Sequence, residues 1–325
     1  MAFAAAVFNS IVLVAAGDVK LFDYDRAKLT PLACEDLSKR TDVLLSGCGF
    51  PGPHGGQLNL ILVKPPKTVR PPYAGVILQH GGGQSMTNYL SEAMILARVG
   101  VVSMLTDAPA RGAGVVSELN QTKLDASRQL EADNVIVLRM ALDRLLAQPG
   151  VDPNRVAFVG HSYGAMAGGV LAGVEPRFRA FTLLGGLPSM AEHIRKDRSE
   201  YWQEMRRRMT GDEFERTLQA IDETSAKLFL PYAKAPVLVQ CARFDTPGNV
   251  DGCPLVHSAV GSKEKQIVWY DDDHYFTSWE AALDRLHWLT RHLGLKNLRA
   301  AIRRHTMSRA FSKGSVDSVG GRRRG

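Results

Sequence analysis

Short apolar runs alternate along this chain with longer segments in which apolar residues recur at helical spacing. The run at 58–63, ended by Lys64-Pro65-Pro66, is typical of a buried β-strand. The segment 124–148 is amphipathic and stops at Pro149-Gly150, which predicts a long helix. Further predicted strands cover 74–79, 101–105, 155–159, 180–184, 236–241 and 266–270, and further predicted helices cover 88–99, 163–173 and 278–293.

Strands that alternate with helices require βαβ crossovers. They predict an α/β domain over 21–298, with a mostly parallel sheet that helices cover on both faces. One stretch interrupts the alternation, because 190–230 is helical and charge-rich and contains no predicted strand. We expect it to be a helical cap insertion over the carboxyl edge of the sheet. A long surface excursion is the alternative.

Two terminal segments differ from this domain. Residues 1–20 are largely apolar, but no Lys or Arg precedes Lys20, whereas a secretory signal normally begins with positive charge. We therefore expect a cytoplasmic location, with a secreted or periplasmic one as the alternative. Residues 299–325 lose apolar periodicity and end in Gly-Gly-Arg-Arg-Arg-Gly, which predicts a basic, disordered tail.

The net charge of +7 at pH 7 belongs entirely to that tail. Residues 299–325 contain eight Lys or Arg residues and a single acidic residue, so acidic and basic residues balance over 1–298. A basic face that would bind a specific nucleic acid is therefore not predicted. No apolar run reaches the roughly 18 residues of a membrane span, and 45% hydrophobic residues are typical of a soluble globular protein.

The four cysteines, Cys34, Cys48, Cys241 and Cys253, form no C-x-x-C pair. This spacing excludes a zinc ribbon, and a disulfide framework is not expected in a chain of this length. Cys241 falls inside a predicted strand, so we expect it to be an ordinary core residue.

The segment Gly160-His161-Ser162-Tyr163-Gly164 matches G-x-S-x-G and lies between a predicted strand and a predicted helix. In this setting a sharp turn exposes the serine as a nucleophile, and glycines let the chain pass closely on both sides. The helix that follows directs its amides toward any anion that forms there. We expect the His161 side chain to pack away from the nucleophile. A glycine-rich turn with an ordinary serine is the alternative.

A serine hydroxyl becomes a good nucleophile when a histidine takes its proton and an acid orients that histidine. The chain order for this motif is Ser, Asp or Glu, His. His274 follows a predicted strand directly, whereas the other later histidines lie in predicted helices or in the tail. Asp245 follows the preceding predicted strand and is the expected acid. Asp251 lies deeper in the loop and is the weaker candidate.

A second glycine-rich segment, His80-Gly81-Gly82-Gly83, ends the strand predicted at 74–79. The oxyanion of a tetrahedral intermediate needs two backbone N–H donors, and glycine leaves such donors unobstructed. We expect them to be the amide of Tyr163 and that of Gly82 or Gly83. A phosphate cradle is the alternative, but the chain contains no G-x-x-x-x-G-K-[ST] motif.

Together these motifs resemble the α/β-hydrolase superfamily, in particular its dienelactone-hydrolase-like and acetyl-esterase-like branch, over roughly 21–295. The resemblance implies a serine hydrolase without metal or organic cofactor. Dienelactone hydrolases proper carry a cysteine nucleophile, so Ser162 favours ester chemistry. The Ser-Tyr-Gly turn is also similar to that of prolyl-oligopeptidase-type peptidases, which usually have a large N-terminal propeller that about sixty preceding residues cannot supply.

The expected function is therefore hydrolysis of a small-molecule carboxylic ester, the carboxylesterase class. Ser162 is the nucleophile, His274 the general base and Asp245 the orienting acid, and no metal site is expected. Two alternatives remain open: a peptidase or amidase of the same fold, and a non-catalytic binding protein on this scaffold. The sequence leaves the oligomeric state, the physiological substrate and the acyl-chain length open.

Overall fold

The apolar runs become neighbouring strands of one sheet in the computed structural model, which describes residues 17–38, 42–107, 124–208 and 211–306. Within these ranges the sheet has nine strands in the order β1-β2-β3-β5-β4-β6-β7-β8-β9. The strands are β1 (Ala33–Asp36), β2 (Leu44–Pro51), β3 (Gln57–Lys64), β4 (Tyr73–Gln79), β5 (Val101–Thr106), β6 (Val151–His161), β7 (Ala180–Leu184), β8 (Val237–Ala242) and β9 (Lys265–Tyr270).

Helices connect the parallel part of this sheet, which runs from β5 to β9, whereas β1, β2 and β3 are joined to it by antiparallel pairing. The helices are α1 (Leu90–Ala97), α2 (Leu124–Leu146), α3 (Tyr163–Val174), α4 (Met190–Lys196), α5 (Glu200–Arg208), α6 (Gly211–Asp222), α7 (Pro247–Ala259), α8 (Trp279–Leu293) and α9 at 298–306. None of these helices has both the length and the apolar character needed to cross a membrane.

The central strands are mostly apolar and mostly buried because helices cover both of their faces. Successive residues of β6 show this arrangement, since Phe158 packs with α2 and α3 while Val159 packs with α1 and α8 on the opposite face. Both side chains are fully buried. The prediction of a mostly parallel α/β sheet between two helical layers is confirmed.

The sequence analysis missed β1 and β2, which form the antiparallel edge of the sheet. β1 has the sequence Ala-Cys-Glu-Asp and is exposed along its length, so no apolar run marks it. In β2, glycine and serine interrupt the apolar pattern. These two strands can be recognised only in the folded structure, where each residue of β1 pairs with a residue of β2.

The expectation of no disulfides is wrong. Cys34 and Cys48 are bonded, and so are Cys241 and Cys253. The first pair lies directly opposite across β1 and β2, in the cross-strand register where two side chains approach most closely. The second pair joins β8 to helix α7, so Cys241 is a core residue as expected but is also cross-linked.

The ordered chain also extends beyond the predicted start of the tail at 299. Residues 298–306 form helix α9, in which Leu298, Ala301 and His305 are buried at helical spacing. His305 Nδ1 contacts Arg98 Nη1 at 3.2 Å. Residues 298–306 therefore belong to the folded part of the chain, whereas residues 307–325 and 1–16 lie outside the described residues.

Between β7 and β8 the chain forms helices α4, α5 and α6, followed by two short 3-10 turns. Helices α4 and α6 share a small apolar core that includes Ile194, Phe214 and Leu218. Helix α6 also packs against α2, and Arg128 Nη1 pairs with Glu223 Oε2 at 2.9 Å. The described residues of 190–230 contain no strand, in keeping with their charge-rich helical pattern.

Candidate active site

Ser162 occupies a sharp turn between β6 and α3. Its backbone has φ 51° and ψ −109°, a strained conformation for a residue with a side chain. A Cβ at Gly160 would lie 2.2 Å from the Gly164 carbonyl oxygen, and one at Gly164 would lie 2.6 Å from the Gln79 carbonyl oxygen. Only glycine fits at either position. The turn is held by the Ser162 amide, which donates to the Leu184 carbonyl at 2.7 Å.

The loop after β9 brings His274 to this serine. His274 Nε2 lies 2.9 Å from Ser162 Oγ, and the imidazole is 29% exposed, so one side of it faces solvent. The two residues are 112 positions apart in the chain, and they meet because β6 and β9 both end at the carboxyl edge of the sheet. This contact gives the hydroxyl a proton acceptor within hydrogen-bonding distance.

Asp245 stands on the opposite side of the imidazole. Its Oδ2 lies 2.8 Å from His274 Nδ1, and its carboxylate is only 2% exposed. Because a carboxylate accepts, Nδ1 carries the proton and Nε2 is left to accept from Ser162. Burial raises the pKa of Asp245, but hydrogen bonds from His274 and Asn249 outweigh burial and hold the pKa below its usual value. The acid is therefore ionised at neutral pH.

Asn249 is a further contact that the sequence analysis missed. Its Nδ2 donates to Asp245 Oδ1 at 2.9 Å and lies 2.9 Å from His274 Nδ1. The Thr246 amide donates to the same carboxylate oxygen at 2.7 Å. Asn249 lies four residues after Asp245, in the first turn of α7, and a helix following the acid was the signal that could have located it. The other acid considered, Asp251, also lies in α7 but lines a cavity instead.

The segment after β4 forms a tight turn next to the serine. The Gln84 amide donates to the Gly81 carbonyl at 3.3 Å, which places Gly82 and Gly83 at the tip, and Gly83 has φ 70°. Gln84 Oε1 accepts the Gly81 amide at 2.9 Å. A Cβ at Gly81 would be 2.9 Å from the Ser162 Cβ, so the turn approaches the serine closely. Within the described residues, no hydrogen bond occupies the amides of Gly82, Gly83 or Tyr163.

His80 anchors this turn to the sheet. Its ring is 1% exposed, and its Nε2 lies 2.9 Å from Asp107 Oδ1 at the end of β5. Its Nδ1 lies 2.7 Å from the Gly81 carbonyl oxygen, so the ring also contacts the backbone of the turn. The contact with Asp107 joins two strand ends, and it explains why a histidine precedes the three glycines.

A cavity of about 610 Å³ lies between α4 and α7, beside the loop after β8 that carries Asp245, which we call the acid loop. Leu187, Pro188 and Leu255 form the apolar part of its wall, and Thr246, next to Asp245, reaches its edge. Most of the other lining residues are polar or charged. A volume of this size is within the range of small-molecule sites. The described residues contain no cluster of three or more His, Cys, Asp or Glu side chains that could hold a metal ion.

No protein-family model matches the sequence, and no curated protein matches it. Among solved structures, acetyl xylan esterase 1 from Thermoanaerobacterium sp. JW/SL YS485 matches 85% of this chain and 94% of its own, with a TM-score of 0.66 and 17% identity. Acetyl xylan esterase from Paenibacillus sp. R4 matches 81% of this chain and 90% of its own, with a TM-score of 0.70 and 17% identity. The chain has the α/β-hydrolase fold.

The same α/β-hydrolase fold occurs in an acylaminoacyl peptidase from Pyrococcus horikoshii, which matches 79% of this chain but only 42% of its own length. Its TM-score is 0.58 at 14% identity. Low identity with high coverage means that the architecture is shared while most side chains differ. The fold predicted from sequence is confirmed, whereas activity has to be argued from the site itself.

Proposed function

We propose that this α/β-hydrolase-fold protein is a serine hydrolase that cleaves carboxylic esters through an acyl-enzyme on Ser162. The observation that carries the proposal is the continuous hydrogen-bonded chain from Ser162 Oγ through the His274 imidazole to Asp245. Nucleophile, base and orienting acid stand in contact in the order that acyl transfer requires. The proposed reaction uses no metal or organic cofactor.

In this mechanism Ser162 Oγ attacks the ester carbonyl carbon while His274 Nε2 takes the hydroxyl proton. Asp245 remains ionised and stabilises the imidazolium that forms. The ester C–O bond then breaks, and the imidazolium gives its proton to the departing alkoxide. Water, activated in turn by His274, attacks the acyl-enzyme, and Ser162 recovers its proton as the carboxylic acid leaves.

The negative charge of each tetrahedral intermediate falls on the former carbonyl oxygen. We assign its donors to the amide of Tyr163 and to that of Gly82 or Gly83. Their freedom from other hydrogen bonds in the described residues supports this assignment, as does the position of Tyr163 at the N-terminus of α3, whose dipole favours an anion. Each such donor typically contributes about 10²–10³ in rate.

We propose that the cavity between α4 and α7 accommodates the larger group of the ester. The apolar part of its wall and its position beside the acid loop support this assignment. A cavity of about 610 Å³ exceeds what an acetyl group requires, so the substrate class that it favours is an ester with a sizeable apolar acyl or alcohol group.

The second candidate function is amide or peptide hydrolysis on the same residues. The fold shared with an acylaminoacyl peptidase supports it, although the chain spans less than half of that enzyme.

The two disulfides favour an oxidising compartment over the cytoplasm, where thiols are kept reduced.

The experiment that tests the proposal combines covalent labelling with a substrate panel. A fluorophosphonate should label the wild type on Ser162, and Ser162→Ala should remain folded but unlabelled, with kcat lower by on the order of 10⁴–10⁶. p-Nitrophenyl esters should be cleaved faster than the matching aminoacyl p-nitroanilides. A preference for the anilides would favour the peptidase, and absence of labelling would favour a non-catalytic protein.

A further inference from the structure

His161, the residue before the serine, is buried against the loop that carries His274. Its side chain is 3% exposed, so the ring has exchanged water for contacts within the protein. His161 Nε2 lies 2.6 Å from the His274 carbonyl oxygen, and Nδ1 lies 2.8 Å from Gln84 Oε1. The side chain therefore turns away from the serine hydroxyl, as the sequence predicts, but toward two other parts of the site.

Burial, and to a lesser extent the nearby His274, lowers the pKa of His161 to about 3. The ring is therefore neutral at neutral pH and carries a single N–H. We assign that proton to Nε2, because the His274 carbonyl can only accept a hydrogen bond and is the closer partner. The unprotonated Nδ1 then lies against Gln84 Oε1 without a hydrogen bond between them. The ring then donates to the backbone of the residue whose side chain faces Ser162.

Packing supports the same loop from the same side. The His161 ring lies 5.0 Å from the His274 ring and 5.7 Å from the Phe276 ring. Phe276 has φ 50°, a conformation that a bulky residue adopts only when its surroundings impose it. A loop that contains such a residue needs external contacts, and His161 supplies a hydrogen bond and a packing surface to it.

The other side of the ring contacts the tight turn that follows β4, at residues 81–84. Gln84 Oε1, which contacts His161 Nδ1, also accepts the Gly81 amide at 2.9 Å. One imidazole thus touches both the support of the glycine turn and the backbone of His274. His161 therefore links two loops that are far apart in the sequence, at 80–84 and 271–277.

We propose that His161 is a positioning residue that keeps His274 aligned with Ser162 by donating from Nε2 to the His274 carbonyl. The inference rests on the proposed function and extends it to a residue that makes no contact with the reacting atoms. It implies that loss of this donor misplaces the base, which lowers kcat while leaving KM nearly unchanged. A displacement of about 1 Å is enough to cost about 10²-fold in rate.

Three substitutions separate the hydrogen bond from packing. His161→Phe keeps a ring of similar size but removes both polar contacts. In His161→Gln the side-chain amide reaches the position of Nε2 and can still donate to the His274 carbonyl. In His161→Asn the shorter amide replaces only Nδ1. His292→Phe is the matched control, because His292 is also largely buried, 8% exposed, but packs against Trp288 in α8.

We expect His161→Phe to lose on the order of 10²-fold in kcat for p-nitrophenyl acetate, with KM within about twofold of wild type. His161→Gln should recover at least about a tenth of the wild-type kcat, whereas His161→Asn should resemble His161→Phe. Amide hydrogen exchange should accelerate at 271–277 in the Phe and Asn variants but not in the Gln variant. His292→Phe should change neither kcat nor exchange in that loop.

Full kcat in His161→Phe would overturn the proposal, because packing alone would then suffice. Equal kcat in the Gln and Asn variants would also overturn it, since the donor at Nε2 would not matter. Hydrogen exchange tests the link to the His274 loop without relying on turnover. Failure of the proposed function is distinguished by the wild type itself, which would then take no fluorophosphonate label.

Discussion

The disulfide between Cys241 and Cys253 closes the chain segment that carries Asp245 and Asn249. Cys241 lies near the end of β8 and Cys253 in α7, and both side chains are buried. The loop between them supplies the carboxylate at 2.8 Å from His274. The cross-link therefore constrains the position of the acid relative to the sheet.

Removal of this disulfide should reduce activity as well as stability. In Cys241→Ala/Cys253→Ala we expect a loss of about 2–4 kcal/mol of unfolding free energy, from the greater freedom of the unfolded chain. Cys34→Ala/Cys48→Ala is the matched control, because the two disulfides span 12 and 14 residues. Urea titrations should show similar stability losses, while kcat for p-nitrophenyl acetate should fall clearly only in the Cys241/Cys253 variant. Equal kcat losses in both would show that the acid loop does not depend on its own cross-link.

Substitution of the acid should disable the histidine without unfolding the protein. Asp245→Asn should lower kcat by about 10⁴, because an amide favours the tautomer with the proton on Nε2. Asp251→Asn, six residues later in α7, should stay near wild type with p-nitrophenyl acetate, whose acetyl group does not need the cavity that Asp251 lines. The measurement is steady-state kcat for both variants. An inactive Asp251→Asn together with an active Asp245→Asn would show that Asp251, not Asp245, orients His274.

Filling the cavity should alter substrate preference. Leu255 is 50% exposed at the cavity wall, so Leu255→Trp can extend into the space without displacing the core. We expect about a tenfold lower kcat/KM for p-nitrophenyl octanoate, within the range of hydrophobic-pocket discrimination, and little change for the acetate. Tyr232→Trp, at a 51% exposed residue that does not line the cavity, is the control. A uniform loss across chain lengths would place the acyl group elsewhere.

Stability at low pH should depend on Glu175, whose carboxylate is 2% exposed between Arg139 and Arg177. Burial raises the pKa of Glu175, but hydrogen bonds from Arg177 and Arg139 outweigh it and hold the pKa below its usual value. A lowered folded-state pKa stabilises the protein above the unfolded value of about 4.3, and this stabilisation is lost as pH falls through the folded value.

Glu175→Gln should therefore cost about 1–3 kcal/mol at pH 7. Thermal melts of the variant and the wild type should converge as pH drops from about 6 to below about 4. Glu280→Gln, at an exposed residue in the first turn of α8, is the control and should show no such convergence. A Tm difference independent of pH would mean that the charge of Glu175 is not what stabilises this cluster.

Helix α9 should be part of the stable fold, contrary to a tail that begins at 299. Ala301 is 6% exposed and packs in the core shared with α1 and α8. Ala301→Asp should therefore lower Tm by several degrees, since burying an unpaired charge costs free energy. Arg303→Asp, on the exposed side of the same helix, should leave Tm within about 1 °C because surface substitutions are usually nearly neutral. Equal melting of both variants would mean that α9 does not dock.

Local patterns in the sequence determined the parallel core and the serine turn. Strands such as β7 are apolar at four of their five positions because both faces are buried, and such a run can be recognised without knowing its neighbours. The turn at Ser162 was equally readable, since glycines are required within two residues on each side. The chain order Ser, acid, His then limited the candidate acid and histidine to residues that directly follow predicted strands. Parallel strands all end at one edge of the sheet, so such residues can lie near the serine.

Only the tertiary structure decided which distant groups meet. β1 and β2 carry no apolar run and exist through pairing with each other, and the disulfides depend on that pairing and on the packing of α7 against β8. The contact between His161 and the His274 carbonyl joins residues 113 positions apart. Such contacts depend on the relative placement of whole strands and helices, which the burial of many side chains determines jointly. No local pattern encodes them, because each partner has the same immediate sequence whether or not the other is near.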